Sequence, residues 1–212
     1  MEKLIKQISD VGVVPVVKLD SADDALPLAA ALKKGGLCCA EVTFRTDAAE
    51  ESIRRISKEY PDFLVAAGTV LTPAQADAAM NAGASFVVSP GLNPEVVKHC
   101  IAKGYPIIPG VCTPSEVEMA LSLGLKYLKF FPAEAAGGVK MIKAMAAPYT
   151  MVKFMPTGGI GVNNLKDYLD CKAVYACGGS WMVPADKIAD GKFDEIADLT
   201  REAVELLKEI RK

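Results

Sequence analysis

Histidine is almost missing from this chain: His99 is the single imidazole among 212 residues. That leaves little for a zinc site, and the six cysteines offer no C-x-x-C spacing in its place. Cys38, Cys39, Cys100, Cys112, Cys171 and Cys177 read instead as reduced, mostly packing thiols of a cytoplasmic protein. Apolar runs are short as well, none approaching the roughly 18 residues of a membrane span. The opening MEKLIKQISD mixes acids with bases and has no apolar h-region, so a secretory leader is not expected. Charge is nearly balanced, 24 Lys+Arg against 26 Asp+Glu, with no basic stretch interleaved with aromatics, which argues against nucleic acid as a partner. No G-x-G-x-x-G follows an early apolar run, which counts against an open dinucleotide-binding sheet.

What is present is a repeat of supersecondary units. Eight short runs rich in Val, Ile and Phe start at Val11, Cys38, Phe63, Ser85, Pro106, Tyr127, Met151 and Ala173. Between them lie Ala- and Leu-rich segments of helical period, such as ADDALPLAAALKKG, TPAQADAAMNAG and TPSEVEMALSLG. Several open on a cap residue or an early proline and close on glycine. Alternation of this kind implies parallel strands, and eight units predict a compact (β/α)8 TIM barrel. MEKLIKQIS predicts an extra N-terminal helix, and without a linker or low-complexity stretch residues 1–212 read as one domain.

Barrel chemistry gathers at the C-terminal ends of the strands. In the second run, alternation places Glu41, Thr43 and Arg45 on one face, and opposite charges on a strand covered on both sides need a reason. A Glu41–Arg45 pair closing the barrel mouth is one; catalysis is the other. Three lysines fall within strands: Lys18 beside Asp20, Lys153 early in its strand, and Lys129 in LKFFPAE. Lys129 has the most apolar flanks. Desolvation favours a neutral, nucleophilic amine, whereas a snorkelling lysine would carry its ammonium to water. The seventh and eighth runs end in PTGG and GGS, glycine-rich turns whose backbone N–H groups suit a phosphate.

The motifs EVTFRT (41–46), AGTVLTP (67–73), SPGL (89–92), IPGV (108–111), KFFPAEAAGGV (129–139), PTGGI (156–160) and GGSWMVP (178–184) run in order over nearly the whole chain. In this the sequence resembles the 2-keto-3-deoxy-6-phosphogluconate (KDPG) aldolases, which also include 4-hydroxy-2-oxoglutarate (KHG) aldolases. The resemblance implies a class I lyase, a homotrimer that needs neither metal nor cofactor and acts on a phosphorylated keto acid. It implies Lys129 as the Schiff-base lysine and Glu41 as general acid/base, with Arg45 and Thr69 on the substrate carboxylate. Pro90 and Phe131 would line the pocket, and Thr157, Gly158, Gly159, Gly178, Gly179 and Ser180 would shape the phosphate end. The chain departs from the family pattern at Val111-Cys112, where isoleucine-serine is usual, a change neutral for the chemistry. A galactonate-type aldolase of opposite C4 preference is an alternative substrate reading. An imine-free phosphosugar isomerase and a silent phosphometabolite-binding barrel are the others, and neither requires Glu41, Arg45 and Lys129 together.

Overall fold

The computed structural model describes residues 1–211. Each of the eight apolar runs forms a strand: β1 (Val13–Val17), β2 (Cys39–Thr43), β3 (Leu64–Gly68), β4 (Phe86–Val88), β5 (Ile107–Ile108) with β6 (Gly110–Val111), β7 (Tyr127–Phe130), β8 (Lys153–Pro156) and β9 (Cys177–Gly179). The fifth run is split because Pro109 has no N–H to give to a ladder, although its carbonyl still accepts from Lys129 N at 2.9 Å. All pairings are parallel, in a six-stranded sheet ordered β5-β4-β3-β2-β1-β9 and a three-stranded sheet ordered β6-β7-β8. Two parallel bridges, Phe154↔Val174 and Thr157↔Gly178, tie β8 to the chain at β9, and the Pro109 junction ties β5 to β6.

The sheets curl around an inner cluster built by period-two alternation. Val14, Ala66, Phe86, Val88, Ile108 and Met155 face it, while Val13, Val65, Ala67, Val87 and Ile107 belong to the larger cluster shared with the outer helices. The expected N-terminal helix, α1 (Glu2–Val11), supplies Ile5 and Ile8 to the inner cluster. It caps the N-terminal ends of the strands and so leaves the opposite ends free.

The connecting helices are α2 (Ala25–Gly35), α3 (Ala49–Glu59), α4 (Pro73–Asn81), α5 (Pro94–Ala102), α6 (Pro114–Ser122), α7 (Gly138–Ala146) and α8 (Leu165–Leu169). The short α9 (Ala185–Ala189) and the long α10 (Phe193–Ile210) follow β9. Their starts are written locally. Thr72, Asn93 and Thr113 each accept a backbone N–H ahead of a proline in the first turn, and Thr113 with Glu116 completes a capping box.

The cysteines form no disulfide among the described residues. Burial pushes the Cys39 and Cys177 thiols far up and that of Cys100 to about 11, as suits packing groups rather than nucleophiles. His99 pairs with Asp77 across α5 and α4 at 2.8 Å and holds the Asp77 carboxyl low. No described helix is long and apolar enough to cross a membrane.

Candidate active site

Strand register decides which groups meet inside the curled sheets. Glu41 lies level with Val16 on β1 and Ala66 on β3, and Lys129 lies level with Gly110 on β6 and Met155 on β8. Both side chains turn inward, where Lys129 Nζ donates to Glu41 Oε1 at 3.1 Å and to Oε2 at 3.5 Å. Lys129 is 4% exposed and Glu41 1%. The ammonium therefore does not snorkel; it stays beneath the rim, 5.5 Å from the centroid of the Phe131 ring. A buried pair of this kind is weak evidence of stabilisation, because desolvating both charges offsets most of their attraction. Its presence asks for a chemical explanation.

The other two strand lysines are engaged elsewhere. Lys18 pairs with Asp20 at 2.7 Å, and Lys153 does not line the interior but donates to the Lys172 carbonyl at 2.8 Å. The proposed Glu41–Arg45 pair does not form, since Arg45 follows the end of β2 and donates Nε to Thr43 Oγ1 at 3.0 Å. Thr43 is fixed in turn by Val17 O at 2.9 Å. Arg45 is exposed at the rim and makes no ion pair among the described residues, so its outer nitrogens are available to an anion.

The remaining residues all stand at the same ends of parallel strands. Thr69 follows β3 with φ 57, a left-handed conformation unfavourable for a β-branched residue, and such strain concentrates at functional sites. Pro90 follows β4 and Phe131 follows β7, both half-buried. Thr157 follows β8 and is buried, its hydroxyl without a hydrogen-bond partner among the described residues. An orphaned buried hydroxyl is uncommon and points to a missing partner. Gly158 and Gly159 take φ of 104 and 78, closed to most side chains. Gly178 and Gly179 lie in β9, and Ser180, exposed, comes directly after.

Two further glycines at this end of the strands, Gly68 and Gly110, have a packing reason. A Cβ on Gly68 would lie 2.6 Å from Glu41 Cγ and 2.7 Å from its Cδ, and one on Gly110 would sit 2.9 Å from Ser89 O and closer still to the Pro90 backbone. Gly68 makes room for the carboxylate; Gly110 lets the loop that carries Pro90 approach. Gly68→Ala is accordingly expected to push Glu41 off its position, at a cost of about 1–3 kcal/mol in denaturant unfolding and with a lower kcat. An unchanged kcat would mean that Glu41 has a second rotamer that works equally well.

Geometrically, then, one end of the curled sheets collects a buried amine touching a carboxylate, a guanidinium without an ion pair among the described residues, a strained threonine, the Gly158-Gly159 turn and the glycine pair that closes β9. The profile of the family described as "KDPG and KHG aldolase" matches residues 4–199. A 2-dehydro-3-deoxy-phosphogluconate aldolase of Haemophilus influenzae is 51% identical over 207 residues, covering 98% of each chain. Among solved structures, a KDPG aldolase of Legionella pneumophila holding pyruvate as a covalent carbinolamine superposes with TM-score 0.91 at 40% identity, covering 94% of this chain and 97% of that one. A 2-keto-3-deoxy-6-phosphogluconate aldolase of Zymomonas mobilis with 3-phosphoglycerate gives TM-score 0.86 at 42% identity, covering 94% of both chains. Matched by the family profile over residues 4–199 and 51% identical to a relative over 98% of its length, this chain belongs to the KDPG and KHG aldolase family.

Proposed function

We propose that this protein is a class I aldolase cleaving 2-keto-3-deoxy-6-phosphogluconate to pyruvate and glyceraldehyde 3-phosphate, with Lys129 as the imine-forming residue. The observation that carries the reading is the buried contact of Lys129 Nζ with Glu41, 3.1 Å long, at the open ends of the strands. The carbinolamine trapped in the Legionella relative supports it. The reading includes a single domain, the two sheets and their bridges forming one eight-stranded (β/α)8 barrel, and a cytoplasmic homotrimer. It requires no metal or cofactor, because a protonated imine is itself the electron sink.

The steps follow from the groups. The Lys129 amine adds to the C2 ketone, and the carbinolamine loses water to give an iminium. Glu41 takes the C4 hydroxyl proton; the C3–C4 bond breaks, and its electrons pass to the iminium nitrogen, leaving an enamine on Lys129 and releasing glyceraldehyde 3-phosphate. Protonation of the enamine at C3 and hydrolysis of the resulting iminium give pyruvate and the free amine. Arg45 and Thr69 hold the carboxylate, with the free guanidinium suited to a bidentate contact. Pro90 and Phe131 line the pocket, and Thr157, Gly158, Gly159, Gly178, Gly179 and Ser180 take the phosphate. Smaller keto acids such as 4-hydroxy-2-oxoglutarate need only the first half of this site.

The test is covalent. Incubation with pyruvate and borohydride should add one pyruvate-derived group per chain, mapped to Lys129; an adduct on Lys18 or Lys153, or none, overturns the assignment. The phosphate end is tested separately. Ser180→Ala removes one neutral donor from a cradle that keeps its backbone amides, so kcat/KM for the phosphorylated substrate should fall by about 10–100-fold, the worth of one hydrogen bond to a charged group. Trapping of pyruvate, which carries no phosphate, should proceed at the wild-type rate. Slower trapping in this variant would assign the GGS segment to the rim's stability and not to a phosphate.

A further inference from the structure

Glu134 is an odd residue to find beside a phosphate cradle, because its carboxylate would repel the ligand. Its position is nevertheless heavily determined. Glu134 N donates to Gly158 O at 3.1 Å and Ala133 N to Thr157 O at 2.8 Å, so the turn after β7 is laced to the turn after β8. Its methylenes pack on the glycine turn: a Cβ on Gly159 would lie 2.7 Å from Glu134 Cγ and 2.8 Å from its Cβ. Its carboxylate Oε1 accepts the hydroxyl of Tyr168, which is 0% exposed on α8. The same two groups crowd Gly138 at the start of α7, where a Cβ would stand 3.1 Å from Glu134 Oε1 and 3.3 Å from Tyr168 Oη. From the other side Asn164 holds the turn, donating Nδ2 to Gly159 O at 3.0 Å and accepting from Gly161 N at 2.9 Å.

We propose that Glu134 and Tyr168 form a positioning latch for the phosphate end, fixing the Gly158-Gly159 turn against α7 and α8 so that its amides are aimed before substrate arrives. The proposal rests on the reading of that turn as the phosphate cradle. Glycines at φ 104 and 78 are free to leave these conformations, so an aimed pair of amides needs an external hold. The latch supplies it without touching the substrate. The hydrogen bond to Tyr168 also turns the carboxylate towards a donor inside the protein, which lessens its repulsion of a bound anion.

Four variants test this: Tyr168→Phe, Glu134→Ala, Glu134→Gln and, as a reference for direct phosphate contact, Ser180→Ala. The readouts are kcat and KM for the phosphorylated substrate, competition by inorganic phosphate, and the rate of borohydride trapping with pyruvate. Tyr168→Phe and Glu134→Ala should raise KM and the phosphate inhibition constant by about tenfold, the scale of one lost hydrogen bond, with kcat and trapping near wild type. Glu134→Gln keeps an acceptor for Tyr168 and should recover most of the loss. A merely structural role predicts instead that kcat and trapping fall together with the rise in KM; that result, or a Glu134→Ala enzyme indistinguishable from wild type, overturns the latch. If inorganic phosphate fails to compete in the wild type and Ser180→Ala leaves KM unchanged, the cradle reading itself falls, whatever the Tyr168 and Glu134 variants do.

Discussion

Lys129→Met should abolish aldol cleavage, with kcat lowered by roughly 10⁴–10⁶-fold, as expected when the nucleophile of an integrated site is removed. The other two strand lysines do not replace it, since Lys18 and Lys153 are held by Asp20 and by the Lys172 carbonyl. Two further measurements separate chemistry from folding. Removing the ammonium leaves the Glu41 carboxylate, 1% exposed, without the cation it touches, and breaking a buried pair from one side costs about 3–5 kcal/mol. Lys129→Arg retains a permanent positive charge but offers no nucleophilic amine. It should therefore be as inactive as the methionine variant, form no borohydride-stable adduct, and unfold at a higher denaturant midpoint. Residual cleavage above about 1% of wild type in either variant would mean that the carbon–carbon bond breaks by a route without an imine at this residue.

The strand and helix plan was legible because its determinants are local. Eight apolar runs gave eight strand positions, and the proline-led caps at Thr72, Asn93 and Thr113 gave helix starts. The split of the fifth strand was not anticipated, although Pro109, which has no N–H, carries its cause. The Lys129–Glu41 contact was not legible in the same way, because 88 residues separate its partners and only the curl of the parallel sheets makes them neighbours. Along the second apolar run the nearest opposite charge to Glu41 is Arg45, and that pairing stayed open in the sequence; in the structure β2 ends at Thr43 and Arg45 lies at the rim. Thr69 shows a different limit. A threonine is a poor candidate for left-handed backbone, so nothing in its residue type announces φ 57; it is imposed by neighbours, with Val70 N bonded to Val88 O at 3.2 Å just after it. Glu134 sat inside a motif that was read for Lys129 and Phe131. Its tie to Tyr168 spans 34 residues and two helices, and had no local signal.

Glu41→Gln should lower kcat by about 10²–10⁴-fold, the usual worth of a general acid/base, while leaving the fold and much of the ground-state binding intact. The amide is nearly isosteric, so it fits the space that Gly68 leaves, and its oxygen still accepts from Lys129 Nζ. What it loses is the ability to take the C4 hydroxyl proton, the event that starts bond cleavage. Of the steps to the imine, only the proton transfers that expel water lose their nearest acceptor; addition of the amine to the ketone keeps its nucleophile and its geometry. Trapping of pyruvate should consequently slow far less than cleavage, and the ratio of the two rates is the decisive quantity. Equal losses in trapping and cleavage would confine Glu41 to making the imine. Cleavage within about tenfold of wild type would pass the C4 proton to water or to the substrate phosphate, leaving Glu41 as the buried counter-charge of Lys129. Glu41→Ala distinguishes these outcomes from simple loss of packing: it removes both acceptor and volume, strands the Lys129 ammonium in an apolar interior, and should cost about 3–5 kcal/mol of stability that the glutamine variant largely keeps.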